Sequence, residues 1–274
     1  MEHEQAFAKL VEALRPWLGE FMFIGGWAHR LHRLHRLANA PNHRPVVTRD
    51  ADVVVPIGTR PSGNVGKALS SAGFVERFIG TDSPPVTHYE LGEEQDGFYA
   101  EFLTSLRGDG RKRNGDHDVA VETAGVTLQK VRHLDVLLVE AWTVNFPIRP
   151  DAPSIPLRIP NATSFIVQRL LIHDKRKDDK KAQDILYIHD TLELFGGALD
   201  DLGSLWREHV RPSLSSKHAK AVVATANALF GDVTDTIRAA ARIPQDRRIS
   251  PESIRSACEY GLREVMNNTG SASS

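Results

Sequence analysis

The sequence Phe23-Ile24-Gly25-Gly26-Trp27 decides the expected fold together with Val46-Val47-Thr48-Arg49-Asp50-Ala51-Asp52-Val53-Val54-Val55, which follows about one helix later. Residues 21–24 predict a short buried strand, residues 28–38 a helix, and residues 46–56 a second strand. Side chains alternate along a strand, so Asp50 and Asp52 are expected to point to the same face. The pattern therefore predicts a strand, a glycine turn, a helix and a strand that presents two carboxylates.

These residue types favour a site for phosphates and metal ions. Two carboxylates on one face supply the oxygen ligands that hard divalent cations prefer. The pair Gly25-Gly26 allows the backbone to approach phosphate oxygens, and it offers amide groups at the start of a helix. We therefore expect a ligand with several phosphate groups at this turn.

The composition excludes several classes of protein. The chain has 274 residues, a net charge of -1 and a single cysteine, Cys258. A single cysteine excludes an internal disulfide framework and a multi-cysteine zinc site, and it fits a reducing compartment. The polar N-terminus lacks a signal-peptide core, and no apolar run approaches a membrane span. We expect a cytoplasmic protein without a membrane partner.

The pattern of elements predicts the domain organisation. Strand and helix signals alternate up to about residue 160, and residues 119–128 and 136–144 each predict a strand or part of one. From Ser164 onward the pattern is helical. We therefore expect an α/β (α+β) core with a mixed sheet over residues 1–160, an all-helical domain over residues 161–267 and a disordered tail over residues 268–274.

A third carboxylate is expected on a later strand, because phosphoryl transfer with two metal ions usually requires another acidic ligand. Glu101 lies in the apolar stretch Phe98-Tyr99-Ala100-Glu101-Phe102-Leu103, where an unpaired carboxylate would be costly. Glu90, within Tyr89-Glu90-Leu91, is the alternative. We prefer Glu101 because of its strand context; the competing interpretation is a half-exposed strand residue.

A basic segment follows at residues 165–189. If it formed one continuous helix, a largely cationic face would oppose an apolar one. That face would carry Arg169, His173, Arg176, Lys180 and Asp184. Such a face could grip a triphosphate, although charge of this kind usually marks a solvated helix face. The run from Asp174 to Asp179 is a possible interruption.

The order of these motifs resembles the polymerase-beta-like nucleotidyltransferase superfamily. Gly25-Gly26 followed by Thr48-x-Asp50-x-Asp52 matches its first signature, and the likeness is closest to AbiEii-type toxin nucleotidyltransferases and their minimal bacterial relatives. The loop from Asn39 to Pro45 makes the spacing longer than in the shortest members. The basic segment resembles the second signature of the AbiEii-like families.

The resemblance implies roles for individual residues. Asp50, Asp52 and Glu101 would hold Mg²⁺ or Mn²⁺. The nucleotide would be bound by residues around the glycine turn and on the basic segment, namely Gly25, Gly26, Thr48, Arg169, Arg176, Lys180 and Lys181. Arg169 stands where the family often has Lys, which keeps the charge and changes the geometry. Asp184 would activate the attacking hydroxyl or hold Lys180 in place.

The implied activity is transfer of a nucleoside monophosphate from an NTP to an acceptor hydroxyl, with release of pyrophosphate. The resemblance further implies a toxin of a toxin–antitoxin or phage-defence system, with tRNA as acceptor and a cognate antitoxin as a partner. Two alternatives remain open: transfer onto a protein hydroxyl, and a nucleotide-binding protein without catalysis.

Overall fold

The computed structural model describes residues 3–79, 86–92, 97–108, 110–111, 118–149, 151 and 153–267, so the expected tail at residues 268–274 lies outside the described residues. The chain divides into two compact units. Unit 1 comprises Met1–Leu31, Val47–Asp135 and Trp142–Ile159, and unit 2 comprises His32–Val46, Val136–Ala141 and Pro160–Ser274. One boundary between the units falls after Ile159. Two earlier segments, His32–Val46 and Val136–Ala141, belong to unit 2 with the helices that follow residue 160.

Unit 1 contains the strands of the described chain. They are β1 (Met22–Ile24), β2 (Asp50–Val54), β3 (Val75–Ile79), β4 (Val86–Leu91), β5 (Phe98–Ser105), β6 (Ala120–Thr123), β7 (Val126–Val131), β8 (Trp142–Phe146) and β9 (Ile155–Ile159). The main sheet has the order β1-β2-β5-β4-β3, with β7 also pairing with β5 and β6 pairing with β7. Strands β8 and β9 form a separate hairpin.

The main sheet is mixed, as expected. Strand β2 runs antiparallel to β1 and parallel to β5, while β4 runs antiparallel to β5. The inward residues of the central strands are apolar and fully buried, such as Ala51, Val53 and Ala100. Because side chains alternate, the opposite face of the same strands carries the acidic residues.

Three helices accompany the sheet in unit 1: α1 (His3–Ala13), α2 (Gly25–Leu31) and α3 (Val65–Ser71). The buried face of α1 supplies Phe7, whose ring stacks on Trp27 of α2 with centroids 3.8 Å apart. Phe7 also meets Phe23 of β1 edge-on at 5.0 Å. This aromatic cluster fixes α2, and with it the glycine turn, against β1.

Unit 2 is helical, which confirms the expected fold class. Its helices are α4 (Ala162–Ile172), α5 (Asp178–Leu194), α6 (Leu199–Leu205), α7 (Arg211–Ser213), α8 (Ser216–Phe230), α9 (Asp235–Ala241) and α10 (Pro251–Asn267). The side chain of Asn161 caps α4 by accepting a hydrogen bond from Ser164 N at 2.8 Å. Its amide also donates to Val139 O at 2.8 Å, which ties residues 136–141 to this unit. In the described part of the chain, no helix is both long and apolar enough to span a membrane.

Three stretches are divided more finely than the sequence pattern indicates. Residues 119–128 contain a turn at Ala124 and Gly125, both with positive φ, between β6 and β7. The stretch 136–144 divides between a 3₁₀ turn (Asp135–Leu138) and the start of β8. The basic segment is broken: α4 ends at Ile172, and Arg176 and Lys177 adopt extended backbone before α5 begins at Asp178. The interruption falls within the run from Asp174 to Asp179, so the single cationic face that one continuous helix would carry does not form.

Candidate active site

The predicted acidic residues share one face of the sheet in unit 1. Asp50 and Asp52 lie two residues apart on β2, and both are partly exposed while Ala51 between them is buried. Across the parallel pairing, Asp52 is the register partner of Glu101 and Asp50 is the register partner of Tyr99. Paired residues of neighbouring strands point to the same face. The sheet therefore presents three carboxylates and one phenol together.

The glycine turn lies against this acidic face. Gly25 has a φ of +64°, and a Cβ atom at this position would overlap the carboxylate of Asp52. A Cβ atom on Gly26 would lie 2.6 Å from the hydroxyl oxygen of Thr48. Gly25 is required because of its positive φ, and both glycines are required because a side chain would overlap Asp52 or Thr48. The strand-to-helix turn approaches the Asp-x-Asp strand within backbone contact distance.

Thr48 and His88 hold two of the carboxylates. The Thr48 hydroxyl donates a hydrogen bond to Oδ1 of Asp50. Nε2 of His88, on β4, lies 2.7 Å from Oε1 of Glu101. The His88 ring also stacks on Tyr99, with centroids 4.4 Å apart and an interplanar angle of 11°. These contacts order Asp50 and Glu101 within unit 1.

The Tyr99 phenol reports the electrostatic character of this face. Its pKa is raised, first by burial and then by the negative charges of Asp50, Glu101 and Asp52. Each of these carboxylates disfavours the phenolate because like charges repel. The phenol therefore stays protonated, and the field at this face is strongly negative.

The alternative third carboxylate, Glu90, lies on the same face of the sheet but on the next strand, β4. It is the register partner of Tyr99 on β4, one strand further from Asp52 than Glu101 is. Its carboxylate lies 3.6 Å from Nε of Arg77 on β3. Glu101, by contrast, is directly opposite Asp52. The strand register therefore favours the choice of Glu101, whose function stays a prediction.

The predicted residues of the basic segment lie in unit 2, where several already have partners. Asp184 is fully buried and pairs with Arg176 (2.9 Å) and Arg169 (3.2 Å). The Arg169 guanidinium also lies over the rings of Phe165 and Tyr187, at 4.7 and 5.2 Å from their centroids. Arg169 and Asp184 thus form a buried ion pair that joins α4 to α5.

The two lysines are closer to solvent. Lys180 is exposed and lies 3.5 Å from the side-chain oxygen of Gln183, not beside Asp184. Lys181 lies 3.3 Å from the exposed carboxylate of Asp178. The proposed contact between Asp184 and Lys180 is therefore replaced by pairing of Asp184 with two arginines. Both lysines remain candidates for phosphate binding.

A comparison with protein families decides the class of protein. A family model described as nucleotidyltransferase matches residues 3–211, about three quarters of the chain and all of the site residues predicted above. The chain belongs to this nucleotidyltransferase family. No curated protein matches it. The protein is thus an enzyme that transfers a nucleotidyl group.

The acidic face of the nucleotidyltransferase fits a hard divalent cation. Its potential ligands are carboxylate oxygens, joined by a threonine hydroxyl, and these are the donors that Mg²⁺ and Mn²⁺ prefer. The lack of a side chain at Gly25 lets the turn lie directly against the Asp52 carboxylate, which a Cβ atom would overlap. Oxygen donors without sulfur disfavour soft metal ions. Asp50, Asp52 and Glu101 are therefore suited to the metal predicted from the sequence.

A second group of potential ligands lies in unit 2 of the nucleotidyltransferase. His189, Asp190 and Glu193 have ligand atoms within 4.8 Å of one another, which the three carboxylates of β2 and β5 do not. Asp190, however, accepts hydrogen bonds from Arg247 at 2.5 and 2.6 Å, and Glu193 lies 3.2 Å from His43. We interpret this group as an ionic network. It ties two segments to α5: the one before β2, through His43, and the one before α10, through Arg247.

Sequence reasoning missed His88 as a neighbour of the acidic face in this nucleotidyltransferase. The signal was available, since His88 lies two residues before Glu90 on a predicted strand and therefore on the same face. The antiparallel pairing of β4 with β5, which brings that face beside Glu101, could not be read from the sequence.

Proposed function

We propose that the protein transfers a nucleoside monophosphate from an NTP to an acceptor hydroxyl and releases pyrophosphate. The observation that supports this proposal is the register of β2 with β5, which sets Glu101 beside Asp52 next to a glycine turn. Membership of the nucleotidyltransferase family supports the general reaction. The acceptor oxygen forms a bond to the α-phosphorus, the bond from the α-phosphorus to the α–β bridging oxygen breaks, pyrophosphate leaves with that oxygen, and the proton of the acceptor hydroxyl is released to solvent.

Each group on the acidic face has a role in this proposal. Asp50, Asp52 and Glu101 would hold Mg²⁺ or Mn²⁺, which when bound neutralises negative charge on the phosphate oxygens. Thr48 orients Asp50 through its hydroxyl. Gly25 and Gly26 would bring backbone amide groups close to a phosphate chain beside the strand, because neither carries a side chain.

Positive charge for the triphosphate would come from Lys180, Lys181 and Arg176, because cations stabilise transferring phosphoryl groups. Arg176 is partly exposed even while it pairs with Asp184. Arg169 is buried, and we assign it the positioning of Asp184 and Arg176 through the shared ion pair. In this proposal Asp184 supports the basic residues and takes no proton from the acceptor.

We further propose that the protein acts as a toxin of a toxin–antitoxin or phage-defence system, with tRNA as the acceptor. The resemblance of Gly25-Gly26, Thr48-x-Asp50-x-Asp52 and the basic segment to AbiEii-type toxins supports this narrower assignment. In such a system a cognate antitoxin would relieve growth arrest, and the reaction would take place in the cytoplasm.

The test is a transfer assay with the purified full chain. The protein is incubated with Mg²⁺, each α-³²P-labelled NTP in turn, purified tRNA, and cell extract as a source of protein acceptors, beside Asp50→Ala and Asp52→Ala variants. Label in tRNA that is lost in both variants supports the proposal and identifies the nucleotide. Label in a protein band would replace tRNA by a protein acceptor. NTP binding without label in any fraction would favour a binding protein without catalysis.

A further inference from the structure

His88 lies at the acidic face through two separate contacts. Nε2 of His88 is 2.7 Å from Oε1 of Glu101, and both side chains are mostly withdrawn from solvent, with exposed fractions of 15% and 21%. The imidazole also stacks on the ring of Tyr99, the residue two positions before Glu101 on β5. Stacking on Tyr99 therefore sets the plane of the His88 ring, and Nε2 of that ring contacts Glu101.

We propose that His88 is a positioning residue that orients Glu101 for the metal site, an inference that rests on the proposed function. A glutamate side chain has three rotatable bonds, so an isolated Glu101 would sample several orientations. The 2.7 Å contact of Nε2 with Oε1 selects one of them and leaves Oε2 as an acceptor. Outer-shell partners of this kind fix the ligand groups of metal sites in proteins.

The surrounding charges explain why a histidine suits this position. The acidic face already holds Asp50 and Asp52, so a free Glu101 carboxylate would be repelled by both. The contact with Nε2 of His88 supplies a polar partner for this carboxylate on the side away from Asp52. The guanidinium of Arg77, the register partner of His88 on β3, lies 3.6 Å from the carboxylate of Glu90.

The test measures Mn²⁺ binding to the full chain by the loss of the free-ion EPR signal, without any turnover. The variants are His88→Ala, His88→Gln, Glu101→Gln and Asp52→Ala. The matched control is Glu90→Gln, which alters a residue on the same strand and face. We expect His88→Ala to weaken Mn²⁺ binding about tenfold, which is the usual effect of losing an outer-shell partner. His88→Gln, which keeps an N–H donor, should recover most of this loss.

A double mutant separates a positioning role from a purely structural one. If His88 acts through Glu101, His88→Ala should weaken Mn²⁺ binding in the wild-type background and have no further effect in Glu101→Gln. An equal additional loss in both backgrounds would overturn the inference, as would wild-type affinity in His88→Ala. Equal impairment of the alanine and glutamine variants, in proportion to lowered melting temperatures, would also overturn it.

Failure of the proposed function has a different signature. Mn²⁺ binding that is insensitive to Asp52→Ala would contradict the metal site itself, and His88 would then have no ligand to position. Mn²⁺ binding that depends on Asp52 but not on His88 would leave the metal site standing and overturn only this inference.

Discussion

Asp52 and Glu101 are direct register partners on the parallel strands β2 and β5. Their neighbours along each strand are buried apolar residues. Moving either carboxylate to the other face would need a one-residue shift of its strand, which would expose those apolar residues. The relative placement of the acidic residues is therefore fixed by the backbone. A shared cation would explain why the fold keeps these like charges together.

The first prediction compares Glu101→Gln with Glu90→Gln. We expect Glu101→Gln to weaken Mn²⁺ binding by about 100-fold or more, because even outer-shell changes typically cost 10- to 100-fold. Glu90→Gln should stay within about twofold of wild type, since Glu90 is one strand further away and faces Arg77. Isothermal titration with MnCl₂ checks both. The reverse ranking would make Glu90 the third ligand.

The second prediction concerns the glycine turn. Gly25→Ala places a Cβ atom in the space of the Asp52 carboxylate and also forces alanine to a φ of +64°. We expect a loss of unfolding free energy of about 3 kcal/mol and a large loss of Mn²⁺ affinity. Gly58→Ala is the matched control, because Gly58 has a φ of +88° and no atom within 4 Å of the added Cβ.

The unfolding free energy of the control should fall only by the conformational cost of positive φ, about 1 kcal/mol, and the control should bind Mn²⁺ normally. Urea denaturation and Mn²⁺ titration of both variants measure the two effects. Equal stability losses with normal metal binding in Gly25→Ala would show that the overlap with Asp52 relaxes without consequence.

The third prediction tests the role of Asp184. Asp184→Asn leaves the buried Arg169 guanidinium without its carboxylate partner, so we expect a destabilisation of about 3–5 kcal/mol in urea unfolding. Asp178→Asn, which removes the exposed carboxylate beside Lys181, should leave the unfolding midpoint unchanged because exposed ion pairs contribute little. An Asp184→Asn protein with wild-type stability and no transfer activity would instead support direct participation in catalysis.

The fourth prediction concerns His32 and pH. His32 is fully buried in unit 2, its Nε2 lies 2.9 Å from Pro160 O, and its ring meets Phe165 and Phe195 edge-on. Burial lowers the pKa of His32 from about 6.5 to about 4. Between these values the unfolded chain binds a proton that the folded chain does not, so this residue makes the fold less stable as the pH falls.

Linkage gives the size of this effect. From pH 7 to pH 5, wild type should lose about 2 kcal/mol more unfolding free energy than His32→Gln, which has no imidazole to protonate. Urea titrations at half-unit pH steps give the unfolding free energy of both proteins. Subtracting one from the other removes the contribution of the carboxylates, which both proteins share. Parallel pH profiles would contradict the buried neutral state of His32.

The elements that sequence analysis predicted well are those with strong local signals. The alternation around Asp50 and Asp52 and the apolar run around Glu101 predicted β2, β5 and the shared polar face, because side-chain period and backbone conformation are coupled in strands. The helical pattern after residue 160 was equally clear. These features depend on neighbours in sequence, which a single chain displays directly.

The features that were missed depend on distant partners. The break at Arg176 and Lys177 falls in the run where an interruption was predicted, but the pairing of Arg176 and Arg169 with Asp184 that accompanies it was not. His88 is placed beside Glu101 by an antiparallel pairing. The turn at Ala124 and Gly125 needs positive φ at two successive residues, for which Ala124 gives no signal. Tertiary contacts decided each case.

The segment between α2 and β2 has a consequence for biosynthesis. Its backbone is held by partners far along the chain: Asn39 N donates to Leu194 O at 2.8 Å, and Arg44 N donates to the carboxylate of Asp246 at 2.7 Å. A ribosome completes β2 long before either partner has emerged. The strand that carries Asp50 and Asp52 is therefore preceded by an untethered segment during translation, and a chain released before Asp246 would lack one of the anchors just ahead of this strand.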